Sequence, residues 1–157
     1  MSKQLHVETL AVHAGQIPDP ATNSRAVPVY RTTAYTFNSA EHGANLFALK
    51  ELGFIYSRLG DPTSQVLENR MALLEGGVAA VVASSGTAAI HYTALTLARA
   101  GDEIVSARNI YGGTYTQFTV LLKDQGINVK LVDALDPENV RKAITPKTRF
   151  VFVEVIG

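Results

Sequence analysis

The sequence contains no cysteine, which removes disulfides, zinc knuckles, iron–sulfur clusters and a thiol nucleophile together. That absence fits a reducing compartment. Charge of one sign is missing too: fourteen Lys and Arg stand against fourteen Asp and Glu, a formal net charge of zero. Nucleic-acid binders need clustered surplus Lys and Arg to displace counterions, so no nucleic-acid partner is expected. Long apolar runs are lacking as well. Val78–Ala83 is the longest, far short of the ~20 residues that cross a bilayer. The start, Met1-Ser2-Lys3-Gln4-Leu5-His6, lacks the apolar core of a secretory signal. A cytoplasmic protein without a membrane partner is expected. His6, His13, His42 and His91 show no ligand spacing with each other or with acids, so no metal site is expected either.

What is present suffices for a core. The 157 residues are 46% hydrophobic and 18% charged, ordinary for a globular protein and too apolar for a disordered one. A compact domain of this length buries roughly 70% of the surface its unfolded chain exposes. From Val7 to Lys50 no period of 3.6 or 2 is sustained, and turn formers recur at Gly15, Pro18, Asp19-Pro20, Asn23-Ser24, Pro28 and Asn38-Ser39. This stretch reads as an extended arm with short helical pieces. It also carries Val27, Val29, Tyr30, Tyr35 and Phe37, so it is expected to pack on the main domain or on a second subunit.

Past Pro62 the pattern becomes regular. Thr63 or Ser64 is expected to cap a helix running to about Glu75, with Leu67, Met71 and Leu74 on one face and Gly76-Gly77 as its stop. Val78–Ala83 has the continuous apolar character of a strand covered on both faces. Helices are expected at about Gly86–Arg99 and Gly113–Gln125, and from the Asp136-Pro137 cap to about Ile144. Strands are expected at Glu103–Ala107, Ile127–Val132 and Arg149–Ile156. Such alternation with short links gives an α/β fold with a mostly parallel sheet, helices on both faces and right-handed crossovers. A buried strand directly before Gly157 reads as part of a longer protein.

The sharpest local feature is Ser84-Ser85-Gly86-Thr87-Ala88-Ala89, between the expected buried strand and a helix. Ligands of open α/β sheets sit beyond the carboxyl ends of strands, where the first amides of a helix favour an anion. Gly86 lets a phosphate approach the backbone, and Ser84, Ser85 and Thr87 add hydroxyls. A capped helix start with close helix–strand packing explains the same residues equally well. No Gly-Lys-Ser/Thr follows, which excludes a Walker loop. Asp102 and Glu103 fall at the amino end of their strand, the wrong edge for the ribose of a dinucleotide. Tyr56-Ser57-Arg58, before Gly60-Asp61-Pro62-Thr63, offers a hydroxyl and a planar charged fork to a phosphate, or is a surface Arg beside a half-buried Tyr. Tyr111, opening Tyr111-Gly112-Gly113, stands at the carboxyl edge where a ring could stack on a flat cofactor or simply pack. Glu154 stands at that edge too, as a ligand-facing group or a carboxylate facing water. His91 packs or caps.

Taken in order, these segments resemble the Cys/Met-metabolism family of pyridoxal-phosphate (PLP) enzymes. The likeness runs through Glu8–Gly15, Val27–Thr33, Tyr56-Ser57-Arg58, Ser84–Ile90 and Tyr111–Tyr115, nearly the whole chain. Leu46–Gly53 looks most like the O-acetylhomoserine sulfhydrylase branch, with methionine γ-lyase and cystathionine γ-synthase as alternatives. The resemblance implies an arm over 1–62, packing on a neighbouring subunit, and an incomplete PLP-binding large domain of fold type I over 63–157. It implies that the amides of Gly86 and Thr87, with Ser85, bind the cofactor phosphate. Tyr56 and Arg58 would reach that phosphate from the neighbouring subunit, in a homo-oligomer expected to be a homotetramer. Tyr111 would stack on the pyridine ring and assist proton movement. Asp61 replaces the family's usual Asn before Pro-Thr; Asp makes the same turn, though a charge aimed inward would oppose a phosphate.

The family's Schiff-base lysine lies in a later part of its chain, and none of Lys3, Lys50, Lys123, Lys130, Lys142 and Lys147 matches its motif. The segment alone is therefore expected to be inactive. In the intact protein the resemblance implies replacement of the acetate of O-acetyl-L-homoserine by sulfide or a thiol, giving homocysteine or methionine. The alternatives of other classes are a truncated, non-catalytic binding module and a nucleotide-binding domain.

Overall fold

The computed structural model describes residues 5–156; Lys3 and Gly157 lie outside them. The chain forms two compact units, up to Val82 and from Ala83.

In the first unit, helices α1 (Val7–His13), α2 (Ala40–Phe47) and α3 (Pro62–Glu75) are joined by long irregular stretches. Their order comes from side chains closing on backbone. α3 is capped not by Thr63 or Ser64 but by Asp61, whose carboxylate accepts the amides of both at 3.0 and 3.1 Å. Asp61 holds an extended backbone, and Pro62 suits the first helical position because it has no N–H to satisfy. The Thr63 hydroxyl donates to Pro28 O at 3.0 Å and accepts the Tyr30 amide at 2.9 Å, tying Val27–Thr33 to the start of α3. α1 meets α3 through Gly15. A Cβ there would fall 2.6 Å from Arg70 N, and φ is +74°, so both space and conformation require glycine.

The second unit is a three-stranded parallel sheet in the order β2-β1-β3, formed by β1 (Glu103–Ala107), β2 (Asn128–Val132) and β3 (Thr148–Phe152). Before β1 comes α4 (Gly86–Leu97). Between β1 and β2 run α5 (Gly112–Thr116), a π-helical turn (Gln117–Leu121) and α6 (Leu122–Asp124). α7 (Pro137–Ala143), capped by Asp136, leads into β3. Ala94, Ala98, Ile104, Phe118, Leu122 and Ile127 form the core on one face, with the rings of Phe118 and Phe152 edge to face at 5.2 Å. On the other face Lys130, the register partner of Val105, reaches Ala143 O at the end of α7. Helices thus cover both faces.

Two strand expectations change. Val78–Ala83 is not a strand: it pairs with nothing among the described residues, and Val78 and Val81 are fully and 88% exposed. A strand exists only through a neighbour's hydrogen bonds, however apolar its sequence. β3 ends at Phe152 rather than Ile156, because its partner β1 is exhausted at Ser106 and Ala107.

Candidate functional site

Helix α4 opens with Ser85 as its cap: the Ser85 Oγ accepts the Ala88 amide at 3.0 Å, and its C=O accepts that of Ala89. The amides of Gly86 and Thr87 have no acceptor among the described residues. A Cβ on Gly86 would meet nothing within 4 Å. Two free donors, an open glycine and the positive end of a twelve-residue helix make a seat that fits a phosphate. Ser84 and Ser85 are exposed beside it, and the Ser85 hydroxyl proton remains available to donate.

Alongside lies a shallow depression of about 320 Å³, lined among others by Ser85, Thr87, His91 and Gln117. Sequence reasoning missed Gln117. It is 3% exposed, and its Nε2 donates to Thr87 O at 3.5 Å. It opens the π-helical turn that interrupts the helix expected to be uniform over Gly113–Gln125. The signal was available: Thr114 and Gln117 are polar residues on the same buried stripe as Phe118 and Leu122, and π turns gather at functional sites. His91 is half-buried, and its Nδ1 has no partner among the described residues.

At the carboxyl edge of the sheet, Tyr111 follows β1 and is 65% exposed. Its backbone amide donates to Glu154 Oε2 at 2.8 Å, so the structure brings together Tyr111 and Glu154. Asp102 and Glu103 stand at the opposite edge in structural ion pairs. Arg149 meets Asp102 at 2.8 Å and Lys130 meets Glu103 at 2.7 Å. The Arg149 hydrogen bond holds the Asp102 carboxyl below the usual range, and Lys130, then Thr145, do the same for Glu103.

In the first unit Tyr56 pairs across an antiparallel bridge with Ala34, and the Ser57 amide donates to Thr33 O at 2.9 Å. Leu59 and Gly60 then turn back onto Tyr56 O. The guanidinium carbon of Arg58 lies 5.3 Å from the centroid of the Tyr56 ring, a cation–π contact. Arg58 is exposed and makes no ion pair among the described residues. The Asp61 charge is spent on the α3 amides. Hydrogen bonds from Ser64, hydroxyl first and then amide, and from the Thr63 amide keep its carboxyl below the usual range.

Among the described residues no three His, Cys, Asp or Glu side chains gather as a metal cluster, and no helix is long and apolar enough to cross a membrane.

The chain is similar to known proteins over nearly its whole length. The chain is 52% identical over 152 residues to a homocysteine synthase of Schizosaccharomyces pombe, covering 97% of this chain and 35% of that protein. It is 53% identical over 154 residues to O-acetyl-L-homoserine sulfhydrylase 1 of Thermus thermophilus, covering 98% and 37%. A crystal structure of a candidate O-acetylhomoserine (thiol)-lyase from Campylobacter jejuni, carrying a pyridoxyl-lysine monophosphate, superposes with a TM-score of 0.90 at 40% identity. That match covers 95% of this chain and 36% of that one. The chain thus spans little more than a third of these relatives' length, and its fold is the matching part of a fold-type I PLP enzyme. The model of one family, Cys/Met metabolism PLP-dependent enzyme, matches residues 8–157, nearly the whole chain, and the chain belongs to that family.

Proposed function

We propose that the chain is the amino-terminal part of a cytoplasmic O-acetyl-L-homoserine sulfhydrylase, forming homocysteine from O-acetyl-L-homoserine and sulfide, or methionine from a thiol. The observation that supports this within the chain is the first turn of α4, with two free amides over an open glycine. The branch rests on identity of about half the residues to relatives named homocysteine synthase and O-acetyl-L-homoserine sulfhydrylase. In the reaction the γ-carbon–oxygen bond breaks, acetate leaves, and a carbon–sulfur bond forms in its place.

The amides of Gly86 and Thr87 and the Ser85 hydroxyl would hold the cofactor phosphate. Tyr56 and Arg58 would reach the same phosphate from a neighbouring subunit, on which the arm over 1–62 packs, in a homotetramer. Tyr111 would present its ring to the pyridine and its hydroxyl to the leaving group. Bound PLP supplies an electron sink for carbanions formed on the substrate. None of the six lysines matches the family's lysine motif, so the covalent anchor would lie elsewhere in the intact protein and the 157-residue segment alone would be inactive.

The test is product analysis on the full-length protein with O-acetyl-L-homoserine, with and without sulfide. Homocysteine formed only with sulfide is expected. Keto acid and ammonia formed in both would assign a lyase instead, and unchanged substrate in both would end the proposal. Subunit sharing is checked by mixing Arg58→Ala with a variant lacking the anchoring lysine. Activity should return in verified mixed assemblies.

A further inference from the structure

Tyr111 is 65% exposed, and its hydroxyl has no hydrogen bond among the described residues, yet two features bear on where it stands. The first is Glu154, whose Oε2 takes the Tyr111 amide at 2.8 Å across 43 positions of sequence. Tyr111 is the residue before α5 and has no side-chain cap of its own, so this charge-assisted bond is what ties the loop after β1 to the segment after β3. The second is Gly113. A Cβ there would fall 2.5 Å from Tyr111 Cε1 and 3.1 Å from Cδ1. The φ of Gly113 is not positive, so an L-residue's backbone would be unstrained. The missing side chain leaves room for the ring.

We infer that Glu154 and Gly113 are positioning residues for Tyr111: the carboxylate holds the loop by its backbone, and the bare Cα lets the ring lie against the start of α5. The inference deepens the proposed function and rests on it for what the ring meets. Both act through Tyr111. A ring held only by solvent would sample several rotamers, and ordering it on substrate arrival would cost free energy that preorganisation avoids.

The test uses the full-length protein labelled with 3-fluorotyrosine, the Tyr111 resonance being assigned by its loss in Tyr111→Phe. In cofactor-free protein, Glu154→Ala and Gly113→Ala are expected to move that resonance. Glu154→Gln, which keeps an acceptor oxygen, should leave it near its wild-type position. Gly113→Ala should lower the melting temperature in the wild-type background and have no such effect beside Tyr111→Ala, where no ring remains to be displaced. With PLP bound, Glu154→Ala should alter the visible circular dichroism of the cofactor. It should also lower kcat by roughly ten- to a hundredfold with a smaller change in KM, the scale of a misplaced reacting group. The inference is overturned by an unmoved resonance in Glu154→Ala, by Glu154→Gln behaving like Ala, or by Gly113→Ala destabilising equally without the ring. Unchanged dichroism and kinetics in a variant whose resonance has moved would overturn it as well. A wild-type protein that does not bind PLP would overturn the proposed function instead, and the cofactor-free measurements would still decide the positioning.

Discussion

The two units of the chain are stabilised in different ways. The unit from Ala83 onward has a central strand whose Ile104, Val105, Ser106 and Ala107 are all buried, and a core including Phe118, Leu122 and Ile127. Among its described residues the unit ending at Val82 has a single isolated bridge and no sheet; it is tied by Asp61, Thr63 and Arg70 to backbone groups. It leaves Ile17, Val29, Leu49 and Leu52 largely exposed, Leu52 at 94%. The contrast teaches that local capping orders a segment without hiding its apolar surface, whereas a central parallel strand is ordered and buried along nearly all its length. It also separates the candidate residues: Ser85, Gly86, Thr87 and Tyr111 stand on the unit with the core, Tyr56 and Arg58 on the capped one.

The comparison breaks if substitutions in the two units cost the same. Phe118→Ala should destabilise the full-length protein by about 3–5 kcal/mol, the range for a buried aromatic, measured by urea unfolding. Arg58→Ala should weaken retention of PLP by about 1.5–3 kcal/mol, the worth of a hydrogen bond from a charged group, read by equilibrium dialysis. Unchanged affinity would remove Arg58 from the site. Asp61→Ala should cost about 1 kcal/mol through loss of the α3 cap. Tested by the same unfolding curves, an effect as large as that of Phe118→Ala would make the capped unit as cooperative as the sheet.

Smaller still is a pH effect. Asp102 and Glu103 have folded-state values below those of the unfolded chain. Their stabilisation is therefore complete above the ordinary carboxylate range and is lost as pH falls through the lowered values. Melting temperatures of wild type and Asp102→Asn/Glu103→Gln should converge at acid pH; a constant gap would refute the linkage. Leu52→Asp tests the proposed arm packing: sedimentation should show a smaller assembly, and an unaltered mass would leave the exposed leucines without a subunit to cover.

Much of the sheet unit was legible from sequence. Glu103–Ala107 forms a strand with the expected ends, and Asp136-Pro137 starts a helix as its chemistry requires, because propensity, capping and burial agree there. Val78–Ala83 misled for a physical reason: an apolar run states that a segment suits burial between neighbours, and no neighbour is present among the described residues. At α3 the sequence leaves the cap open, since Asp61, Thr63 and Ser64 all have the chemistry and only the extended backbone at Asp61 decides among them, against the hydroxyls expected from sequence. The Gln117 turn was illegible to a search for uniform 3.6 periodicity.

Sequence by itself determined the family, the alternation of strand and helix, and the small, hydroxyl-bearing start of the helix at Ser85-Gly86-Thr87, because each depends on residue types at short spacing. Only the tertiary structure decided that Glu154 accepts the Tyr111 amide across 43 positions, that the Tyr111 ring lies where a Cβ of Gly113 would fall, and that Asp102 and Glu103 are held in ion pairs. Those facts depend on which strand ends come to lie side by side, and a parallel sheet sets that through hydrogen bonds between segments far apart in the chain.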